Sequence, residues 1–134
     1  RMIAAFRDSR NTPRTLDYLC NNNPPSFPHG LDAEIFSFAA LDRAFHEARD
    51  PFEREHVTPY IRRHPELFHL GNITSPVNHS HHRWTLDYPE DFDFIKAVYD
   101  HFYPKKPSFS TQDILDLLDR HPEIARINEG RRQR

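Results

Sequence analysis

The fold class is best predicted from residues 83–92, which have the sequence RWTLDYPEDF. Residues 83–87 have the composition of a strand, and Pro89 followed by acidic residues is typical of a helix start. Asp87 would then lie at the carboxyl end of a strand, directly before a helix. Ligands bind at that edge in open α/β sheets. The stretch therefore predicts an α/β protein with a candidate functional carboxylate at Asp87.

Asp87 has two interpretations at this stage. A carboxylate at such a position can bind Mg²⁺, which takes one or two protein carboxylates and leaves its other positions to water and phosphate oxygens. In the structural alternative, Asp87, Glu90 and Asp91 cap the helix and offset its dipole. The residue types alone favour the structural alternative, because acidic residues are usual at helix starts.

Outside this stretch, the pattern alternates strands with helices and predicts one α/β domain over residues 1–134. We predict strands at residues 16–20, 31–36, 67–73 and 83–87. We predict helices at residues 2–8, after a Ser37 cap, from Asp50-Pro51 through residues 60–63 with a kink at Pro59, from Pro89, and after a Ser110 capping box. In the helix from Pro89, five residues recur on one face and should pack against a sheet: Phe92, Ile95, Val98, Tyr99 and Phe102.

Composition excludes several classes of protein. Ile, Leu, Val and Phe make up about a quarter of the chain, above the range of disordered proteins, and the net charge is −2, without the basic excess of a nucleic-acid binder. The longest apolar run covers only residues 2–6, too few to span a membrane. A single cysteine, Cys20, excludes an internal disulfide framework and favours a reduced, intracellular protein.

A second stretch with chemical potential covers residues 28–36, PHGLDAEIF. Gly30 follows a proline-rich loop and would let the backbone approach a ligand closely. On an extended strand, Asp32 and Glu34 would point to the same face and could accept sugar hydroxyls or help to hold a cation. The alternative is a half-exposed strand whose polar residues face water, and the residues alone favour it.

A third stretch covers residues 54–60, REHVTPY. Arg54 could bind a carboxylate or phosphate through two parallel hydrogen bonds from its guanidinium, and His56 could donate a hydrogen bond to a sugar oxygen. Mixed charge on a helix is more often a solvated face, so the residues alone favour that alternative.

Taken together, the strings at residues 27–36, 54–60 and 83–92 resemble the acylneuraminate cytidylyltransferase family. The most similar branch is the one named for spore coat polysaccharide biosynthesis, and residues 114–128 fit it as well. The resemblance extends over nearly the whole chain from Asp17 onward. It implies the C-terminal part of a Rossmann-like, three-layer nucleotidyltransferase fold.

The resemblance implies that CTP and a sugar acid give a CMP-sugar and pyrophosphate with Mg²⁺, in surface or spore-coat polysaccharide biosynthesis. Asp87 matches the family's second metal-binding aspartate. The residues on the sugar side of the cleft would be Gly30, Asp32, Glu34, Arg54, Glu55 and His56. The expected partners are therefore CTP and a sugar acid, with no nucleic acid and no membrane, and we expect a cytoplasmic homodimer.

Two departures from the family pattern affect this expectation. Tyr88 stands where the family has a small hydroxyl residue before the proline, and Tyr is a poor helix cap. Arg1 precedes Met2 in what resembles a helix already under way, which indicates a fragment lacking the family's basic triphosphate loop and first metal aspartate. We expect such a fragment to be inactive alone, to bind CTP weakly, and to be oligomeric or poorly soluble. Two alternatives stay open: a glycosyltransferase-like protein that uses a nucleotide sugar, and a non-catalytic interaction module.

Overall fold

The computed structural model describes residues 1–13 and 15–131. The chain divides into two compact units, each with its own hydrophobic core. The first unit comprises Arg1–Ser26 and Asp32–Pro76, and the second comprises Phe27–Leu31 and Val77–Arg134. The prediction that all residues belong to one larger nucleotidyltransferase domain stays a prediction.

The first unit is built around a small mixed sheet. Its elements are α1 (Met2–Ser9), β1 (Tyr18–Cys20), β2 (Glu34–Phe36), α2 (Phe38–Glu47), α3 (Pro51–His56), α4 (Pro59–Arg63) and β3 (Leu70–Asn72). The strand order is β2-β1-β3, with β1 antiparallel to β2 and parallel to β3. The strands predicted at residues 16–20, 31–36 and 67–73 are confirmed, although each keeps only three residues.

Small side chains let α2 pack on this core. Ala40, Ala44 and Ala48 are buried and follow one another at four-residue spacing, the spacing of one helix face. They pack with the central strand residues Tyr18 and Cys20. Phe45 lies on the same helix next to Ala44 but is 61% exposed, so this aromatic side chain lies outside the core.

Three helix starts predicted from the sequence are confirmed by their hydrogen bonds. The Ser37 hydroxyl accepts from the Ala40 N–H at 3.1 Å, and the Asp50 carboxylate accepts from the Phe52 N–H at 2.8 Å. At α6 of the second unit, the Ser110 hydroxyl accepts from the Asp113 N–H at 3.3 Å. Each cap satisfies a backbone donor that lacks a partner within the helix.

The prediction of one kinked helix from residue 51 to residue 63 is wrong, because Val57 separates two helices. Val57 has φ 67° and ψ −58°, outside the helical region. The Thr58 N–H donates to the His56 carbonyl at 2.8 Å, which closes a γ-turn around Val57. Pro59 has no N–H to continue the preceding helix, and a new helix, α4, begins at Pro59.

The second unit is helical. Its elements are α5 (Pro89–Phe102), α6 (Thr111–Arg120), α7 (Pro122–Ala125) and the 3₁₀ segment Arg126–Arg131. Within the described part of the chain, none of the helices combines the length and the apolar character needed to cross a membrane.

The strand predicted at residues 83–87 is wrong. His29 and Arg83 form an isolated parallel bridge, in which the Trp84 N–H donates to the His29 carbonyl at 2.7 Å. The pairing does not continue, because Leu31 turns back to donate to the Pro28 carbonyl and the Arg83 carbonyl accepts from the Asn128 side chain. Asp87 therefore lies in a bend before α5 rather than at a strand end.

The predicted inner face of α5 is rotated by about one residue. Phe92 and Tyr99 are 57% and 50% exposed, whereas Phe94, Val98 and Phe102 are buried. The buried side chains pack with residues of α6 and α7 instead of the predicted sheet. The prediction that Phe92 and Tyr99 face inward is therefore wrong. The inward stripe begins at Asp91, whose charge made that face look polar in the sequence.

Candidate functional site

A buried ionic network lies beneath the start of α5. The Arg83 guanidinium, whose side chain is 5% exposed, donates from Nε to Asp91 Oδ1 and from Nη2 to Asp91 Oδ2, both at 2.9 Å. The Asn128 Nδ2 donates to Asp91 Oδ1 at 2.8 Å and to the Arg83 carbonyl at 3.0 Å. Two parallel bonds between a guanidinium and a carboxylate are both strong and directional, so this network fixes its members in one arrangement.

Asp91 is fully buried and performs the capping task that Tyr88 does not. Its Oδ2 accepts from the N–H groups of Asp87 and Tyr88, each at 3.1 Å, which satisfies backbone donors at the helix start. The hydrogen bonds from Arg83, followed by those from Asn128 and the backbone, hold the pKa of the Asp91 carboxyl well below its usual range. The same bonds raise the pKa of Arg83, so the buried pair stays ionised.

Asp87 presents a carboxylate at the edge of this network. Its side chain is 61% exposed, and its Oδ2 accepts from Arg83 Nη2 at 2.7 Å. Its own N–H is bound by Asp91. Asp91 therefore holds the backbone of Asp87, and Arg83 holds its carboxylate.

This arrangement fits one ligand of a magnesium site. Mg²⁺ is usually bound through one or two protein carboxylates, with water and phosphate oxygens at its other positions, and Asp87 offers an exposed carboxylate. Among residues 1–13 and 15–131, no group of three or more His, Cys, Asp or Glu side chains is placed to hold a metal ion. The part of this arrangement that a cation in solution can reach is the exposed carboxylate of Asp87.

Gly30 is required by a close backbone approach inside the second unit. Its φ is +108°, and a Cβ at this position would lie 2.7 Å from the Trp84 carbonyl carbon and 2.9 Å from the Thr85 nitrogen. Any side chain would clash with backbone that cannot move aside. The sequence predicted that Gly30 lets the backbone approach a ligand; the approach that the structure records is to residues 84 and 85, just before Asp87.

Two polar atoms beside Gly30 are buried without a hydrogen bond among the described residues. They are Trp84 Nε1 and Thr85 Oγ1. Buried polar atoms in native proteins nearly always have a partner, because an unpaired one loses the hydrogen bond it made with water. Trp84 and Thr85 therefore each have a buried polar side-chain atom that lacks a hydrogen-bond partner among the described residues.

In the first unit, Glu34 accepts hydrogen bonds from two different elements. Tyr18 Oη, on the buried strand β1, donates to Glu34 Oε1. Thr58 Oγ1, at the γ-turn, lies 3.0 Å from Oε2 and 3.2 Å from Oε1. Arg62 Nη1 lies 3.8 Å from Oε1. Burial and the bond to Glu34 raise the pKa of Tyr18, so its hydroxyl keeps its proton and remains a donor.

Asp32 lies outside the strand that the sequence predicted for it. β2 begins at Glu34, and the Ala33 N–H donates to the Asn21 side chain at 2.8 Å. Asp32 and Glu34 are therefore not two residues of one strand, as the sequence predicted. Asp32 is exposed, while Glu34 is partly buried.

Arg54, Glu55 and His56 lie on α3, as predicted. Arg54 Nη1 donates to the Phe45 carbonyl at 3.1 Å, and its guanidinium lies over the Phe45 ring at 5.3 Å. The His56 ring packs on Phe52 with 4.4 Å between centroids, and Glu55 is exposed. Arg54 also borders a cavity of about 170 Å³ in the first unit, whose other walls are mostly apolar.

Within the first unit, the structure connects two of the three stretches singled out in the sequence. Thr58, two residues after His56, donates to Glu34. Sequence reasoning missed Tyr18 and Thr58, which fix Glu34, and Arg83 and Asn128, which bind Asp91. Asp91, which the sequence offered as a helix cap, does cap the start of α5. The spacing of Arg83, Asp87 and Asp91 was not a signal, because four-residue spacing pairs side chains on a helix and α5 begins only at Pro89. Nothing local pairs Asn128 with Asp91, which lies 37 residues earlier.

A comparison of folds first indicates the class of protein. The fold is similar to a solved cytidylyltransferase from Leptospira borgpetersenii serovar Hardjo-bovis, with a TM-score of 0.82 and 29% sequence identity, over 92% of this chain and 50% of that one. This likeness confirms the α/β fold expected from the sequence. No family model matches the chain.

Two curated proteins are also similar to this chain in sequence. The uncharacterized protein MJ1063 of Methanocaldococcus jannaschii is 33% identical over 128 residues, which cover 90% of this chain and 52% of that protein. The spore coat polysaccharide biosynthesis protein SpsF of Bacillus subtilis is 32% identical over 106 residues, which cover 77% of this chain and 44% of that protein. The resemblance to cytidylyltransferases and to the spore coat branch is thus confirmed. The chain spans about half the length of the curated relatives it matches.

Proposed function

We propose that this chain contributes to a cytidylyltransferase that joins CTP to a sugar acid and releases pyrophosphate, in the synthesis of a surface polysaccharide. The observation that carries the proposal is the likeness of fold to a cytidylyltransferase over nearly the whole chain. The similarity to a polysaccharide biosynthesis protein supports the biological role. Because CTP is an intracellular nucleotide, the proposal includes a cytoplasmic location, and we include a homodimer as its assembly.

In such a reaction, an oxygen of the sugar acid attacks the α-phosphorus of CTP and the bond to pyrophosphate breaks. Mg²⁺ would neutralise part of the charge that develops on the phosphates. In this proposal Asp87 binds that cation, and its carboxylate also accepts a hydrogen bond from Arg83. The exposed carboxylate of Asp87 can meet a phosphate-bound cation without the cost of burying an unpaired charge.

The sugar-binding roles remain proposals for six residues: Gly30, Asp32, Glu34, Arg54, Glu55 and His56. Arg54 is suited to the carboxylate of a sugar acid, because a planar guanidinium binds carboxylates with two parallel bonds. Asp32 and Glu34 would accept hydrogen bonds from sugar hydroxyls. Glu34 would do so from a fixed position, since Tyr18 and Thr58 already hold its carboxylate.

The test is formation of the nucleotide sugar by the complete cytidylyltransferase to which this chain is proposed to contribute. It is incubated with CTP, Mg²⁺ and a panel of sugar acids, and pyrophosphate release and the CMP-sugar are measured. Asp87→Asn should lower kcat at least about 100-fold, because a bound cation supplies several kcal/mol of charge stabilisation. Asn keeps an oxygen that accepts from Arg83, so folding should be nearly unchanged.

The matched control is Asp100→Asn. Asp100 is also an exposed aspartate, with its side chain 64% exposed, and pairs with Lys96 at four-residue spacing on the same helix. This variant should keep turnover within about twofold, because exposed ion pairs contribute little. Normal turnover in Asp87→Asn would remove Asp87 from the cation site. Consumption of a CMP-sugar in place of its formation would favour the glycosyltransferase alternative, and no reaction with any sugar acid would favour an interaction module.

A further inference from the structure

Arg83 connects the buried network to an exposed carboxylate through three side-chain hydrogen bonds. Its Nε and Nη2 form the two bonds to Asp91, and Nη2 makes an additional bond to Asp87 Oδ2, the shortest of the three at 2.7 Å. The first two bonds join two buried groups. The third joins a buried guanidinium to an exposed carboxylate, so it restricts a group that a ligand in solution can reach.

The position of Arg83 is determined by residues distant in the sequence. Asn128, in the 3₁₀ segment Arg126–Arg131, donates both to the Arg83 carbonyl and to Asp91. Asp91 in turn accepts from the backbone N–H groups at the start of α5. Arg83, Asp91 and Asn128 are all buried, so shifting one of them would leave a polar group without a partner.

The charges in this group favour a cation near Asp87 rather than oppose it. Arg83 and Asp91 form a buried pair with no net charge. Asp87 adds one negative charge, and it is the charged member that is largely exposed. A guanidinium beside a carboxylate would ordinarily weaken cation binding, but here Asp91 compensates the charge of Arg83, and the bond from Nη2 restricts the orientation of the Asp87 carboxylate.

We propose that Arg83 is a positioning residue, which holds the Asp87 carboxylate in one orientation for a phosphate-bound divalent cation. This inference rests on the proposed function, because it assigns Arg83 a role through Asp87. Hydrogen-bonded partners of metal ligands characteristically change metal affinity by about 10- to 100-fold when they are removed. Arg83→Lys keeps the positive charge and loses the planar fork, so it should weaken cation binding at Asp87 by at least tenfold.

The experiment measures cation binding by NMR and does not depend on activity. Mn²⁺ is titrated into the isotopically labelled protein, and broadening of the backbone amide signals of Asp87 and Tyr88 reports local binding even when it is weak. Asp87→Asn should abolish this local broadening. The control is Arg43→Lys, since Arg43 pairs with Glu47 at the same four-residue spacing but lies on the surface; its broadening curve at Asp87 should match the wild type.

The titration distinguishes failure of the cation site at Asp87 from failure of the positioning role of Arg83. Unchanged broadening in Asp87→Asn would overturn the cation site itself and the role of Arg83 with it. Loss in Asp87→Asn together with a wild-type curve in Arg83→Lys would leave the cation site intact and overturn the positioning role.

A second measurement on the wild-type protein covers the case in which Arg83→Lys does not fold. Couplings between the α and β protons report the χ1 rotamer of an aspartate. Asp87 should show a single rotamer in the absence of cation, whereas the exposed Asp93 on α5 should show averaged couplings. Averaged couplings at Asp87 would mean that Arg83 does not hold its carboxylate, and would overturn the inference.

Discussion

Replacing Asp91 with Asn tests the buried network most directly. The carboxylate accepts hydrogen bonds at both oxygens: Arg83 Nε and Asn128 Nδ2 at Oδ1, and Arg83 Nη2 with the N–H groups of Asp87 and Tyr88 at Oδ2. An amide has only one oxygen. Whichever way it is turned, its NH₂ group faces at least two donors, and these buried donors lose their acceptor.

The expected loss follows from these unpaired donors and from the remaining charge. Each unsatisfied buried donor costs about 1–3 kcal/mol, and Arg83 would keep its charge with only the exposed Asp87 to balance it. Breaking a buried ion pair by removing one partner costs about 3–5 kcal/mol in general. We therefore expect Asp91→Asn to lower the free energy of unfolding by about 3–5 kcal/mol.

Urea unfolding followed by circular dichroism measures this change, with Asp100→Asn as the comparison. Asp100 forms an exposed pair with Lys96, so its replacement should cost less than about 1 kcal/mol. If Asp91→Asn cost no more than Asp100→Asn, the Asp91 carboxylate would not be the fixed acceptor that the structure describes. The reasoning about Arg83 would then fail as well.

The remaining predictions concern strain, packing and pH. Val57→Gly should raise the free energy of unfolding in urea, because relief of about 1–3 kcal/mol of strain at φ 67° outweighs the entropy cost of about 1 kcal/mol for glycine; a loss of stability would show that the turn is unstrained. Phe94→Ala should cost about 3–5 kcal/mol and Phe92→Ala less than about 1 kcal/mol, and the reverse order would mean that the inner face of α5 is misassigned. The pKa of Asp91 is lowered by Arg83, and that of Asp113 to about 2 by Lys106 and Ser110. Both groups take up protons on unfolding, so stability should be fully present above about pH 4 and fall as the pH decreases below it, as measured by thermal unfolding from pH 7 to 2.5; a flat profile below pH 4 would contradict both shifts.

Local features of the chain were predictable because their partners lie nearby in sequence. A cap joins a side chain to an N–H group two or three residues later, so Ser37, Asp50 and Ser110 marked helix starts that the structure confirms. The strand centres followed in the same way from short apolar runs. The position of Asp87 next to a helix start was also readable, since Pro89 and the acids after it define that start.

Backbone geometry at Val57 shows where local rules stopped being sufficient. Pro59 predicted a kink, but a proline signal does not specify whether a helix bends or stops. The turn is closed by the bond from the Thr58 N–H to the His56 carbonyl, and Thr58 is also held through its hydroxyl by Glu34, which lies 24 residues earlier in the sequence. A contact of that sequence separation depends on how β2 and the γ-turn come together in the folded unit.

The sequence by itself determined the class of fold, the helix starts and the location of a candidate carboxylate at Asp87. The tertiary structure alone decided which face of α5 lies inward and what holds that carboxylate. Two helical stripes, one beginning at Asp91 and the other at Phe92, were both compatible with the apolar period, and the charge of Asp91 favoured the wrong one. Arg83 and Asn128 make burial of Asp91 possible by satisfying its charge and its hydrogen bonds, and Asn128 does so from 37 residues away.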